Sequence, residues 1–303
     1  MTMFADTLID KARVLGPLCV GIDPHPGRVP QLFGGDTPDG LAAWGIAIAE
    51  MAADRVAAVK PQVGLFERHG PDGMAALVKV CAAARAAGML VLMDAKRGDI
   101  GSTAEGYAAA YLGENAPFEC DALTVNPYMG IDTLQPYVRE AEANGKGVIV
   151  LTRTSNPGSA DFQSKDMGGA PLYARVVEAL APLVEQLKGK SDWSSLMMVT
   201  GATGPDEARA IRNMTPNALF LVPGYGAQGA GAADAMAGFV PGRPGQPGGD
   251  GLEGGLVNAS RSVTFPTEAQ SADTRGAWDK AIAEAIDAAQ TDLKNAGQAL
   301  RLT

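Results

Sequence analysis

Short apolar runs recur along the chain, and polar or glycine-rich sequence follows each of them. The runs are continuous rather than alternating, as is typical of parallel strands that are buried on both faces. They predict eight strands, at residues 18–23, 56–60, 89–94, 121–125, 147–152, 196–200, 218–222 and 255–260.

Most of the intervals between these runs carry apolar residues at helical spacing, three or four positions apart. The last such segment places its apolar residues on one face, at Trp278, Ile282, Ile286, Ala289 and Leu293. Strands that alternate with helices in this way predict an α/β fold, a (β/α)8 TIM barrel, with residues 1–303 in a single domain. An open, doubly wound sheet is the alternative. It is disfavoured because no Gly-x-Gly-x-x-Gly motif follows the first strand.

Residues 224–255 interrupt this alternation with a long segment rich in glycine and proline. We interpret the tip of the segment as a tolerated insertion. Its beginning differs, because the motif "PGYGAQG" directly follows a predicted strand and its glycines allow backbone N–H groups to approach an anion.

Net charge, cysteine content and apolar stretches limit the possible partners and the cellular compartment of the protein. The net charge of −9 argues against nucleic acid or an anionic membrane as the main partner. The three cysteines are scattered, which predicts reduced structural thiols rather than a disulfide framework. The first residues do not resemble a signal peptide, and no apolar stretch approaches membrane-spanning length, so we expect a cytoplasmic protein.

Charged residues stand where the predicted strands end, which is where the active site of a barrel lies. The first, second, third and eighth predicted strands end at or beside Asp23, Lys60, Asp94 and Arg261. Lys96 and Asp99 follow Asp94 closely, within the motif "DAKRGDI". This convergence predicts a charged site at the mouth of the barrel.

Asp94 and Lys96 are two positions apart, so their side chains leave the same face if the strand geometry persists. Lys60, from the neighbouring strand, can reach the same space. Such an array must be neutralised internally, or its pKa values must shift. An ordinary ion-pair network that closes the barrel mouth is the alternative interpretation.

A lysine held between carboxylates stays protonated, so it can act as an acid rather than as a nucleophile. This argues against a Schiff-base aldolase, which needs a neutral lysine. The arrangement suits proton delivery to a carbanion, while the neighbouring carboxylate disfavours an anionic group in the ground state.

The stretch "DAKRGDIGSTAEGYA" resembles the signature of the orotidine 5′-phosphate decarboxylase family. Further motifs follow that family's order: "VGIDP", "VKPQVGLFE", "TVNPYMG", "TSNPGS", "VTGATGP", "VPGYGAQG" and "NASR". "TVNPYMG" and "TSNPGS" resemble its longer bacterial, type 2 branch. The resemblance implies a decarboxylase without cofactor or metal, which converts orotidine 5′-monophosphate to UMP and CO2 in the last step of de novo pyrimidine synthesis.

The resemblance also implies roles for individual residues. Lys96 matches the proton donor to C6 of the pyrimidine, and Asp94 matches the carboxylate that faces the substrate carboxylate. Lys60 and Asp23 match the residues that hold the charge network and the ribose hydroxyls. Ser155 matches the hydroxyl that contacts the pyrimidine amide.

Further matches concern the phosphate and the partner subunit. Gln228 and Arg261 match the residues that bind the phosphate. Ser260 stands where many relatives have glycine, a change that a backbone N–H contact to phosphate survives. Asp99 and Thr103 match residues that reach the active site of the other subunit, which implies a homodimer with shared sites.

Two alternatives stay open. The first is a sugar-phosphate enzyme resembling hexulose-phosphate synthase, which shares the Asp-x-Lys-x-x-Asp spacing and uses a divalent metal. Ser155 and the "PGYGAQG" motif favour the decarboxylase, and His25 and His69 are too few for a histidine-rich metal site. The second is a catalytically inactive nucleotide-binding protein, which the intact acid–lysine–acid array disfavours. We interpret His25 as a loop residue near the ligand, and the sequence assigns no role to Asn126.

Overall fold

A closed barrel of parallel strands forms the centre of the computed structural model, which describes residues 2–226, 229–242 and 251–302. The strands are β1 (Leu18–Ile22), β2 (Ala58–Pro61), β3 (Leu90–Arg97), β4 (Ala122–Val125), β5 (Gly147–Arg153), β6 (Ser194–Thr200), β7 (Ala218–Val222), β8 (Val240–Pro241), β9 (Leu252–Glu253) and β10 (Gly255–Ala259). Around the barrel their order is β1-β10-β7-β6-β5-β4-β3-β2, while β8 and β9 form a separate antiparallel pair. The predicted (β/α)8 fold is confirmed.

Helices surround the barrel. They are α1 (Phe4–Leu15), α2 (Pro38–Ala52), α3 (Val63–Glu67), α4 (Gly70–Ala86), α5 (Gly101–Leu112), α6 (Gln135–Asn144), α7 (Ser159–Phe162), α8 (Leu172–Gln186), α9 (Pro205–Met214), α10 (Ala232–Ala235), α11 (Arg261–Thr264), α12 (Thr267–Gln270) and α13 (Arg275–Arg301). Two short 3-10 helices span Gln31–Phe33 and Ile131–Leu134. Within the described part of the chain, no helix is both long and apolar enough to cross a membrane.

Burial explains why these segments form strands and helices. Every residue of β1, β6, β7 and β10 is buried, as a strand between a filled barrel interior and a layer of helices must be. Helix α13 buries the apolar face predicted from its sequence, from Trp278 to Leu293. The apolar periodicity therefore fixes which side of the helix contacts the barrel.

The glycine- and proline-rich segment at 224–255 contains regular structure that its composition does not predict. Helix α10 and the β8–β9 pair lie within it, and Met236 and Phe239 are buried. Buried Arg212 anchors this segment, because its guanidinium donates to the carbonyl oxygens of Gly238 and Gly254, both at 2.8 Å. Residues 227–228 and 243–250 lie outside the described residues.

Candidate active site

The carboxyl ends of the barrel strands surround a cavity of about 330 Å³, within the usual size range of small-molecule sites. Its lining includes most of the residues that the sequence singles out, namely Asp23, Lys60, Asp94, Lys96, Ser155, Ser260 and Arg261. His25 lines it as well, in agreement with its interpretation as a loop residue near the ligand. The structure thus brings these residues together from five different strand ends.

Asp94 is the centre of the charged array. Its Oδ2 accepts a hydrogen bond from Lys60 Nζ at 2.8 Å, and its Oδ1 lies 2.5 Å from Lys96 Nζ. Lys60 Nζ also lies 3.7 Å from Asp23 Oδ1. Lys60 and Asp94 are buried, whereas the Lys96 side chain is 47% exposed. Lys60 and Asp94 are therefore shielded from solvent, and Lys96 is the member of the array that is most accessible to a ligand.

The charges of this array neutralise one another. Burial alone would raise the pKa of Asp94, but the ammonium groups of Lys60 and Lys96 outweigh burial and hold that pKa well below its usual range. Burial alone would lower the pKa of Lys60, but the carboxylates of Asp23 and Asp94 raise it. Asp94 and Lys60 are therefore both ionised at neutral pH.

We predict that Asp94→Asn lowers the free energy of unfolding by about 3 kcal/mol at pH 7, because it leaves the buried Lys60 ammonium without its nearest carboxylate. A carboxylate with a depressed pKa in the folded state stabilises the protein above its unfolded-state pKa, and this contribution is lost as the pH falls. The difference from the wild type should therefore shrink below the ordinary aspartate pKa of 3.8. Urea unfolding at pH 7 and at pH 3 measures both effects.

The matched control for this experiment is Asp273→Asn, since Asp273 is an exposed aspartate outside the array. Its free energy of unfolding should stay close to that of the wild type at both pH values. A difference between Asp94→Asn and the wild type that stays constant from pH 7 to pH 3 would contradict the electrostatic explanation.

Three polar atoms around the cavity are buried and lack a hydrogen-bond partner within the described residues: Asp23 Oδ1, Asn258 Oδ1 and Ser260 Oγ. An unsatisfied buried polar group costs about 1–3 kcal/mol, so such groups are rare unless water or a ligand completes them. Their position beside the charged array indicates a site built for a polar ligand.

Ser155 is held at the cavity by the loop that follows β5. Its carbonyl oxygen accepts a hydrogen bond from Thr203 Oγ1 at 3.1 Å. The amide side chain of Gln163 makes two hydrogen bonds to Thr154, one to the backbone N–H and one to the hydroxyl, both at 2.8 Å. These contacts fix the backbone on both sides of Ser155.

Arg261 and Ser260 stand at the end of β10, where helix α11 begins. The Arg261 side chain belongs to an exposed residue that lines the cavity, so its guanidinium is available to an anion. Burial lowers the pKa of His25; Asp23 opposes this shift, and the positive charge of Arg261 adds to it. His25 is therefore neutral near pH 7 and adds no charge to the cavity.

Two predicted site residues do not line this cavity, and a third lies outside the described residues. Asp99 accepts a hydrogen bond from the backbone N–H of Ile100 at 2.8 Å, and Thr103 is exposed on α5; neither lines the cavity within the described part of the single chain. Gln228 lies outside the described residues. Asn126 accepts a hydrogen bond from the Tyr128 N–H at 2.9 Å, which gives it a role in the turn after β4.

Sequence reasoning missed several residues that contact the array. Gln62 Nε2 donates to Asp94 Oδ2 at 3.0 Å, and Thr124 Oγ1 lies 3.2 Å from Asp94 Oδ1. Asn258 lines the cavity from β10. Thr124 and Asn258 stand within predicted strands, so a polar residue inside an otherwise apolar run was the signal that could have found them. Gln62 follows the second predicted strand after Pro61 and carries no such signal.

A larger cavity of about 600 Å³ lies at the opposite, amino end of the barrel, between α1, α13 and β9. The two arginines there are already paired with carboxylates. Arg13 Nε contacts Glu253 at 2.8 Å, and Arg55 is paired with Asp287. The smaller cavity is the better candidate for catalysis because it lies at the carboxyl ends of the strands and holds the unsatisfied polar groups.

Fold and site together define a (β/α)8-barrel protein of the class that places an acid–lysine array at the carboxyl ends of its strands. Residues 16–297 match the model of the orotidine 5′-phosphate decarboxylase / HUMPS family. The chain belongs to this family.

Individual relatives agree with this assignment. The chain is 44% identical over 220 residues to orotidine 5′-phosphate decarboxylase of Salinispora arenicola, covering 72% of this chain and 77% of the relative. It is 40% identical over 270 residues to the Salinispora tropica protein of the same name, covering 89% and 92%. The solved structure of Leishmania donovani OMP decarboxylase superposes with a TM-score of 0.69 at 32% identity, covering 96% of this chain and 99% of that one.

Proposed function

We propose that this chain decarboxylates orotidine 5′-monophosphate to UMP and CO2, the last step of de novo pyrimidine synthesis. The observation that carries the proposal is the contact of Lys96 with Asp94 at the cavity, in a chain of the decarboxylase family. The ammonium supplies the proton and the carboxylate sets the electrostatics of the reaction.

In the proposed reaction the bond between C6 and the carboxylate carbon breaks, and its electron pair stays on C6. The Lys96 ammonium stabilises this negative charge and then transfers one proton to C6, after which the amine recovers a proton from solvent. Asp94 disfavours the substrate carboxylate in the ground state, and this repulsion ends when CO2 leaves as a neutral molecule. The residues Lys60 and Gln62 support this by fixing the orientation of Asp94.

The ribose and the base are assigned to the neighbouring groups. We assign the ribose hydroxyls to Asp23, whose buried Oδ1 lacks a hydrogen-bond partner within the described residues, together with Lys60. Ser155 is assigned to the pyrimidine amide, because the β5 loop presents it at the cavity. Gln228, the other proposed phosphate residue, stays a prediction because the structure does not describe it.

Arg261 and Ser260 are assigned to the phosphate. We predict that Arg261→Ala raises KM for orotidine 5′-monophosphate about 10- to 100-fold, since hydrogen bonds to charged groups contribute about 1.5–3 kcal/mol. Steady-state kinetics with the nucleotide measures this effect. The unphosphorylated nucleoside orotidine is the matched substrate, and its kcat/KM should be nearly the same for variant and wild type. An unchanged KM for the nucleotide would show that Arg261 does not bind the phosphate.

We further propose a homodimer in which Asp99 and Thr103 complete the active site of the partner subunit. In the part of the single chain that the structure describes, neither residue lines the cavity. Large apolar side chains beside them are exposed, with Ile100 at 61% and Tyr128 at 88%. The segment after β3, which carries Ile100, is adjacent to the loop after β4, which carries Tyr128. The two are joined by a hydrogen bond from the Asn126 N–H to the Arg97 carbonyl oxygen. Exposed apolar residues clustered in this way are typical of a protein–protein interface.

We also propose that the chain acts as a single domain in the cytoplasm. Its three cysteines are buried free thiols, which suits a reducing compartment.

The experiment that tests the proposed function follows the absorbance of orotidine 5′-monophosphate after addition of the purified protein dialysed against EDTA. We expect loss of substrate absorbance and formation of UMP at an undiminished rate. The alternative on the same scaffold, a metal-dependent sugar-phosphate enzyme, predicts no turnover of this nucleotide. It predicts instead turnover of a sugar phosphate that EDTA abolishes and added divalent metal restores. Binding of UMP without any turnover would instead support the catalytically inactive nucleotide-binding protein.

A further inference from the structure

Strand β3 is irregular at the point where it carries the charged array. Met93 pairs with Leu123 of β4, and the next pair joins Arg97 to Val125. Three residues of β3, Asp94 to Lys96, therefore lie opposite one residue of β4, which is Thr124. Such a bulge disrupts the ladder of backbone hydrogen bonds and leaves backbone groups that need other partners.

Lys96 has an unusual backbone conformation within this bulge. Its φ is +48°, in the left-handed region that side chains with a Cβ atom avoid. The other non-glycine residues with positive φ in the described part of the chain are Asp54, Asn115 and Asp192. Aspartate and asparagine tolerate this region, whereas lysine does not favour it. Surrounding contacts must therefore hold Lys96 in place.

The hydroxyl group of Thr124 provides the contact to the Lys96 backbone. Thr124 Oγ1 accepts a hydrogen bond from the Lys96 backbone N–H at 2.8 Å, in place of the lost ladder partner. The same oxygen lies 3.2 Å from Asp94 Oδ1, to which it donates its proton; the Met93 carbonyl oxygen is the more distant acceptor at 3.4 Å. Thr124 is 1% exposed, so water does not compete readily for these bonds.

We infer that Thr124 is a positioning residue for the reaction. Its hydroxyl links the backbone of the proton donor Lys96 to the carboxylate of Asp94, and thereby sets where the ammonium stands relative to the reacting carbon. The inference rests on the proposed function, because it assumes that Lys96 and Asp94 perform the chemistry. The bulge in β3 then directs the Lys96 side chain into the cavity.

Replacement of the hydroxyl by a methyl group in Thr124→Val tests this inference with little change in side-chain shape. We expect kcat to fall about 10- to 100-fold while KM stays within about threefold, since misplacement of a reacting group by about 1 Å costs on the order of 100-fold. Thr124→Ser, which keeps the hydroxyl, should restore most of kcat. Thr133→Val is the matched control, because it deletes a buried hydroxyl outside the cavity, and its kcat should equal that of the wild type.

A wild-type kcat in Thr124→Val would overturn the inference, as would an equal loss of kcat in Thr124→Ser. If the valine variant does not fold, Thr124→Ala removes the same hydroxyl and carries the same expectation.

Crystal structures of the wild type and Thr124→Val under identical conditions provide a second test that does not depend on turnover. Lys96 should leave the left-handed region in the variant, and its Nζ should move away from Asp94. The inference would be overturned if both the φ of Lys96 and the distance from its Nζ to Asp94 were unchanged in the variant. If the wild-type protein fails to decarboxylate orotidine 5′-monophosphate, the proposed function fails, while this comparison still decides whether Thr124 holds Lys96.

Discussion

Replacement of Lys96 by alanine should lower kcat for orotidine 5′-monophosphate at least about 10⁴-fold, because it removes both the proposed proton donor and the charge proposed to stabilise the carbanion. The fold should survive, since Asp94 keeps its hydrogen bonds from Lys60 and Gln62. Binding of UMP, measured by titration calorimetry, should stay within about tenfold of the wild type, because the residues proposed to bind the phosphate and the ribose are unchanged.

Lys79→Ala provides the matched control for this prediction. Lys79 is an exposed lysine on α4, away from the cavity, and its replacement should leave kcat unchanged. A Lys96→Ala variant that keeps a rate near that of the wild type would show that another group donates the proton. If the variant lost both UMP binding and turnover, this would indicate a disrupted site rather than a missing proton donor.

Mixing inactive Lys96→Ala protein with inactive Asp99→Asn protein should restore activity. In a dimer with shared sites, one active site of each hybrid combines an intact Lys96 with an intact Asp99 from the other subunit. Random exchange of equal amounts should therefore recover about a quarter of the wild-type activity, starting from two nearly inactive parents. The measurement is the decarboxylation rate before and after subunit exchange.

The control for the hybrid experiment is a protein that carries both substitutions in one chain. When mixed with Lys96→Ala protein, this double variant creates no site with both residues intact, so no activity should return. Mass spectrometry of differently tagged subunits verifies the exchange. Verified exchange without recovered activity would contradict the shared site.

Much of the barrel could be predicted from the sequence, because a parallel strand covered on both faces needs a continuous apolar run. Residues 18–23 and 218–222 show this pattern, and β1 and β7 occupy almost the same residues. The pairing of β8 with β9 could not be predicted in the same way. It depends on contacts such as Arg212 with the carbonyl oxygens of Gly238 and Gly254, which local composition does not reveal.

Most residues of the candidate site could be predicted from the sequence, but their geometry could not. The spacing of Asp94 and Lys96 indicates that their side chains share a face, and the structure brings their charged groups into contact. The regular strand assumed in that argument is absent, however, because β3 is bulged and Lys96 has a positive φ. The bulge results from pairing with β4, so the contribution of Thr124 becomes visible only in three dimensions.

We propose above all that the site stabilises negative charge at C6 of the pyrimidine through the Lys96 ammonium. The most direct test compares the affinities of UMP and 6-hydroxyuridine 5′-monophosphate, whose ring carries negative charge on the oxygen attached to C6. The wild type should bind the anionic analogue at least about 10³-fold more tightly than UMP, as a site complementary to a transition state does. In Lys96→Ala this preference should fall at least about 100-fold. An equal preference in the two proteins would contradict the claim.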